Sequence, residues 1–225
     1  GSVLRAQNAA ADSHPGITVR ASDESDLVAV AGSIAIGSDV GLGLGAAVGT
    51  FAKTTEAWIE SGVAADADGH IVVTADNDED ITSIAAGMAA SGSAGIAGDA
   101  NVYVLNNSTR AFIGDDPTDL VASLGAGHVH AQGSIVVAAD DRSELDLITG
   151  SVGVSGTAGI AASAGVTTTN KTTAAFIGTG ARVTADGLRD GATAKDGTFG
   201  IGYVAQGVIN TGNLPNAGDG EIATA

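Results

Sequence analysis

The chain has 225 residues, and its 26 acidic and 9 basic side chains leave a net charge of −17, which excludes nucleic acid and anionic membrane surfaces as partners. Hydrophobic residues make up 44% but aromatics only 3%, and 34 residues are glycine, so any core is thin and the chain is no ordinary domain packed on Leu, Phe and Trp. With no cysteine, disulfides and thiolate-ligated metals are excluded as well.

Gly1-Ser2 reads as an expression scar, and the chain as a segment of a longer protein. Neither a signal peptide nor a transmembrane run is visible, so this segment is expected not to insert into a membrane. Residues 1–25 form that scar and a partial leading coil, in which Ile17 to Asp23 is a degenerate strand and corner. A first unit spans 26–79, a second 80–144 and a third 145–187. From 188 to 225, short strand-like pieces between Gly, Asn and Asp suggest continuing or terminal coils.

The third unit sets the pattern. From Ile148 to Val166 every even position is apolar or Gly and every odd one small or polar, the period-two signature of a strand with one buried and one exposed face. The apolar set is expected inside and the Gly/Ala/Ser set outside. One strand of that length would span ~60 Å, so the chain is expected to bend at Ser155-Gly156-Thr157. The same parity recurs 64 residues earlier (Ile84 to Val102) and 54 before that (Val30 to Val48). Two further markers keep this register: Lys53 to Ile59 with Asn107 to Ile113 and Lys171 to Ile177, and Gly69 to Asp76 with Gly133 to Asp140. The second unit's ten extra residues fall around Asp115-Asp116-Pro117-Thr118-Asp119, which has turn chemistry.

Fixed-period repetition of strand-patterned sequence predicts an all-β, right-handed parallel β-helix (a β-solenoid) built from long internal repeats, with few or no helices. At ~20–25 residues per coil, each unit would supply two or three coils. Antiparallel hairpins forming one sandwich per repeat remain the alternative, with Ser91-Gly92-Ser93 and Ser155-Gly156-Thr157 as tight turns. The acidic runs at Asp23-Glu24-Ser25-Asp26, Asp76 to Asp80 and Asp140 to Glu144 are expected at corners between strands.

Ile148-Thr149-Gly150-Ser151-Val152, Thr157-Ala158-Gly159-Ile160, Thr173 to Gly178 and Ala181 to Gly187 resemble repeats of large bacterial filamentous adhesins and exoproteins, leukotoxin-like or haemagglutinin-like, secreted by two-partner or autotransporter routes. The resemblance covers about 26–187 and stops near Leu188. It implies a parallel β-helix exported through an outer-membrane transporter to the cell surface or medium. There it would act as a stiff adhesive rod whose partners are host or neighbouring cell surfaces, or further copies of itself joined through Gly/Ala/Ser outer faces. It supplies no catalytic residues, and the chain is not expected to be an enzyme. The alternative function is a carbohydrate-active β-helix enzyme, a polysaccharide lyase or hydrolase, which needs paired carboxylates, or a carboxylate with Arg or Lys, in an exterior groove.

Asp76, Asp78 and Asp80 form a D-x-D-x-D run that could ligate calcium, the one cofactor considered, although the EF-hand glycine and distal Glu are missing. A solvated acidic corner accounts for it without metal. His128 and His130 share a strand face but lack a sequence-signalled third ligand, while His14 and His70 stand apart. The Gly41 to Gly45 run lacks a P-loop's Lys-Ser/Thr and is attributed to packing. The sequons at Asn106, Asn107 and Asn170 read as polar corners, and the Thr167 to Thr169 run lacks the ranked threonines of an ice-binding face. Trp58, Phe112 and Phe176 hold one register position and are expected to stack as an aromatic ladder.

Overall fold

The computed structural model describes residues 2–7, 16–118 and 125–188. His14 and nearly all of the 188–225 stretch lie outside the described residues. The described part is all-β: β1 (Val3–Ala6), β2 (Ile17–Gly37), β3 (Val40–Ile59), β4 (Ala64–Ala67), β5 (Ile71–Ser91), β6 (Ala94–Ile113), β7 (Gly127–Ala131), β8 (Ile135–Ser155), β9 (Ala158–Ile177) and β10 (Ala181–Ala185). The chain visits three sheets in rotation, building a first of β1-β4-β7-β10, a second of β2-β5-β8 and a third of β3-β6-β9. Every pairing within these sheets is parallel. The arrangement is consistent with a solenoid and excludes the antiparallel hairpin alternative.

The repeat register is the sheet register. Ile17 lies opposite Ile71 and Ile71 opposite Ile135, while Trp58, Phe112 and Phe176 stand in one file, so the steps of 54 and 64 residues each advance the chain by one strand. The ten extra residues of the second unit fall between Ile113 and Gly127, leaving both long sheets in register.

Three expectations are corrected. One unit makes a single coil, not two or three, because the strands of the second and third sheets run 20 or 21 residues. At ~3.3 Å per residue each is about 70 Å long, far beyond the usual strand. Such length is sustained because each strand bonds along its whole extent to an equally long neighbour. The predicted bend is present, with β8 ending at Ser155 and β9 starting at Ala158, and equivalent breaks fall at Ser38-Asp39 and Gly92-Ser93. The three arches stack by backbone bonds, Gly92 N–H to Ser38 O at 3.0 Å and Ala158 N–H to Ser93 O at 3.1 Å. Second, the acidic runs are not corners, since Asp23 to Asp26, Asp76 to Asp80 and Asp140 to Glu144 all lie inside strands.

The third correction concerns the faces. Near the arches the odd-numbered Gly/Ala/Ser residues point inward, and the even-numbered aliphatic residues point out, on both long sheets. Ile34 is 75% and Ile36 83% exposed, whereas Ala85, Ala89 and Ala97 are buried. The reason is steric. A Cβ built on Gly43 would lie 2.4 Å from the Met88 carbonyl oxygen of the opposing sheet, and one on Gly153 would lie 2.6 Å from that of Ile160. The two backbones approach too closely for any larger inward side chain.

Away from the arches the second and third sheets diverge to admit the first. There the interior holds a conventional core of Ile59, Ile71, Val73, Ile113 and Val129 with small alanines. Nearer the arches Ile81, Tyr103 and Leu105 form a second cluster. At the corner from the third sheet to the first, Gly62 and Gly180 hold one position two coils apart, with φ of 75° and 70°, values that favour glycine.

Candidate functional site

The acidic runs gather on the outer side of the second sheet, midway along its strands. Alternation sends Asp76, Asp78 and Asp80 to the same face, and parallel pairing sets Glu24, Asp78 and Arg142 in one file and Asp26, Asp80 and Glu144 in the next. These files line a groove of about 320 Å³. Asp76 pairs with Arg20 at 3.1 Å, and Arg142 reaches Asp78 at 3.9 Å and Asp140 at 3.8 Å. Successive same-face residues of a strand stand roughly 6.7 Å apart, so Asp76 and Asp80 span about twice that, whereas calcium ligands sit 2.3–2.6 Å from the ion. Extended backbone thus spreads this run instead of wrapping it. Among the described residues no group of three or more His, Asp or Glu side chains is placed to hold a metal ion.

Behind that face lies a polar seam that sequence reading missed. Glu79, 1% exposed, accepts from Asn107 Nδ2 at 2.7 Å and Ser143 Oγ at 3.1 Å, and Lys53 Nζ stands 3.3 Å away. Lys53 also pairs with Asp23, and one coil beyond Glu79, Lys171 pairs with Asp141 at 2.8 Å. Asp141 in turn accepts from Asn77 at 3.2 Å and Thr109 at 3.1 Å. Reading across the coils, the files are Asp23-Asn77-Asp141, Ser25-Glu79-Ser143 and Lys53-Asn107-Lys171. Each coil answers its neighbours' charges, so a slip of one strand against the next would strand a lysine or a carboxylate away from water. The signal was present, since Lys53, Asn107 and Lys171 carry the odd numbers of the inward face.

Asp99 is a further inward acid, in the narrow part between the sheets. Both its oxygens are buried without a hydrogen-bond partner, and Oδ1 lies 2.6 Å from where a Cβ on Gly87 would fall. Its counterparts in the flanking coils are Gly45 and Ser163.

The three described histidines form no common site. His128 and His130 share a face of β7, their rings stacked at 5.9 Å. His130 lies between Asp186 at 3.0 Å and Asp66 at 3.7 Å, one carboxylate on each ring nitrogen, whereas His70 Nδ1 accepts the Ser134 N–H at 2.9 Å. Of the sequons, Asn107 points inward onto Glu79 and Asn106 outward, within a strand and not at a corner.

At the outer edge of the third sheet the expected aromatic ladder is formed. Trp58 stacks on Phe112 at 5.9 Å and Phe112 on Phe176 at 5.1 Å, with the Arg110 guanidinium 5.6 and 5.5 Å from the two Phe rings. Arg110 donates through both terminal nitrogens to Asp116, in the inserted segment. That clasp, with the Thr118 N–H and hydroxyl each donating at 2.8 Å, holds the Asp116 carboxyl at about 2 instead of 3.8 although burial pushes the other way. Asp116 and Thr118 are thereby tied to the arginine that lies over the ladder.

No family model, curated protein or solved structure matches this chain.

Proposed function

We propose that the chain is a structural and adhesive segment of a secreted or cell-surface filament, a right-handed parallel β-helix whose stacked coils make a stiff rod. The observation that carries this reading is the unbroken register. Every long strand pairs along its full length with its counterpart one repeat away. A distortion in one coil is therefore passed to the next through a continuous run of backbone bonds, the mechanical property a spacer needs. The right hand follows the general rule for parallel crossovers. Export through an outer-membrane transporter to a bacterial surface or medium, and contact with host or neighbouring cells, accord with the resemblance of the Thr173 to Gly178 and Ala181 to Gly187 segments to filamentous exoproteins.

The acidic groove is lined by files in the repeat register: Asp26-Asp80-Glu144 is acidic in every coil, as expected of a repeated solvated face, and Glu24-Asp78-Arg142 is acidic in two, with Arg142 held by Asp78 and Asp140. A lyase or hydrolase would favour residues particular to one coil. The rod is proposed to need no cofactor, calcium included, because Asp76 and Asp78 already face Arg20 and Arg142.

Beads coated with the chain and offered to eukaryotic and bacterial cells should attach to one of them above albumin-coated controls, while a panel of acidic and neutral polysaccharides is left uncleaved. Polysaccharide turnover that disappears in an Arg142→Ala, Glu144→Gln variant would replace this reading with the enzymatic one. Thermal melts in calcium and in chelator should coincide.

A further inference from the structure

Inversion of the faces leaves two aliphatic surfaces in water, one on each side of the slab near the arches. On the second sheet the file Val30-Ile84-Ile148 makes a ridge, and Ile34-Met88-Val152 makes a parallel one. Between them the file Gly32-Ala86-Gly150 leaves an open, mostly apolar groove of about 420 Å³. On the third sheet Leu42-Ile96-Ile160 and Val48-Val102-Val166 are ridges, with the files Leu44-Gly98-Ala162 and Ala46-Ala100-Ala164 between them. Monomeric proteins rarely leave contiguous apolar surface of this kind uncovered.

We infer that these two faces bind further copies of this chain, second sheet on second sheet and third on third, so that rods stack side by side into a lateral array. Two observations select this occupant. On the second sheet the relief is self-complementary: ridge, groove and ridge follow one another at same-face steps of roughly 6.7 Å, so the Ile34 file of one copy fits the Gly32 groove of another as facing sheets interdigitate about 10 Å apart. On the second sheet charge lies toward the other half of the same face, at Glu24, Asp26, Asp78, Asp80 and Glu144, and ends at Asp146 beside the Ile148 ridge. Two copies overlapped at their arches with acidic halves pointing opposite ways therefore meet without like-charge contact, despite a net charge of −17. Area sets the strength: about nine residues of strand by three strands offers a footprint of roughly 400 Å² per face, about half the ~800 Å² per partner of a stable complex, so each contact is weak and the array assembles only at high concentration. A lipid bilayer fits less well, since Glu24, Asp26, Asp78, Asp80 and Glu144 lie on the same outer face as the aliphatic ridges. The expected Gly/Ala/Ser contact surface is excluded, because those residues are inside.

The inference does not rest on the adhesive role and would survive its failure. The test is sedimentation velocity and light scattering on the full chain from micromolar to near-millimolar concentration. The wild type should grow past twice the monomer mass as concentration rises. Ile34→Lys with Val152→Lys, which closes the second-sheet face, should cap growth at the dimer. Adding Leu42→Lys and Ile160→Lys should give monomers, and all variants should keep the wild-type circular dichroism because the substituted side chains are exposed. A wild type monomeric at every concentration would overturn the inference. So would growth that the lysines leave unchanged, which would assign association to the sheet edges. Capture of the chain by phosphatidylcholine vesicles without self-association in buffer would also overturn it, in favour of lipid.

Discussion

Replacing Gly43 by Ala adds one methyl group, and the sign of its effect reports which way the residue faces. The new Cβ would lie 2.4 Å from the Met88 carbonyl oxygen and 3.1 Å from its carbon, both backbone atoms of the opposing sheet. An ordinary contact needs roughly 1 Å more, so the sheets must part locally, beside Gly41, where a Cβ would already lie 2.8 Å from the Ala90 carbonyl oxygen. Overpacking of this kind costs about 1–3 kcal/mol, against roughly 0.5–1 kcal/mol gained by restricting the unfolded chain, for a net loss of about 1–2 kcal/mol. Were Gly43 on a solvent face, the same change would stabilise by about 0.5 kcal/mol. Ile34→Ala is the reciprocal probe. At 75% exposure it retains only a quarter of its potential burial, so its loss should stay below about 1 kcal/mol, against 2–5 kcal/mol for a core isoleucine. Urea midpoints followed by circular dichroism at low protein concentration measure both. A stabilised Gly43→Ala, or an Ile34→Ala as damaging as a core truncation, would refute the inverted faces.

Glu79→Ala should cost about 2–3 kcal/mol, because Asn107 and Ser143 lose their acceptor while Lys53 keeps Asp23; Glu79→Gln, which preserves an acceptor, should cost less than half of that in the same denaturation experiment. Asp99→Ser, which installs the residue found at position 163 of the next coil, should raise stability by about 1–3 kcal/mol by removing two buried, unpartnered carboxylate oxygens, read from the same urea midpoints. Asp116 is held at about 2 in the folded chain, below an unfolded value of ~3.9, so its contribution is complete above about pH 4 and lost as pH falls through 2. The melting-temperature gap between wild type and Asp116→Asn should be constant above pH 4 and close by about pH 2, and fluorescence of Trp58, the chain's single tryptophan, should register release of the clasp over its ladder.

Period, register and turn positions were legible because each is a repetition that survives whatever the strands pack against. Val30, Ile84 and Ile148 align by counting, and Ser155-Gly156-Thr157 carries turn residues wherever the sheet lies. The inward parity was not legible. Alternation separates two sets of side chains but does not say which is inside, and the usual rule that large apolar residues are buried assumes a ~10 Å gap between sheets. Here glycines such as Gly41, Gly43 and Gly153 bring the backbones closer, and the rule inverts over half the strand while still holding at Ile71 and Val73. Coil number was misjudged for a related reason, since typical strand lengths describe ordinary sheets and not strands paired end to end with equally long copies. The acidic runs resembled corners because charge is rare in mid-strand. Their even members face water while Asp23, Glu79 and Asp141 supply the seam, a division visible only once the inward parity is known.

The claim on which all of this depends is that each repeat is one turn laid in register on the last. Because the chain has no cysteine, Val30→Cys with Ile84→Cys provides a direct test. These positions are opposed on adjacent parallel strands, at a separation a disulfide spans, whereas Val30→Cys with Met88→Cys is offset by about 13 Å along the strand. Mild oxidation at low concentration should cross-link the first pair within one chain and leave the second as free thiols. Equal cross-linking of both pairs, or of neither, would contradict the one-repeat, one-coil register.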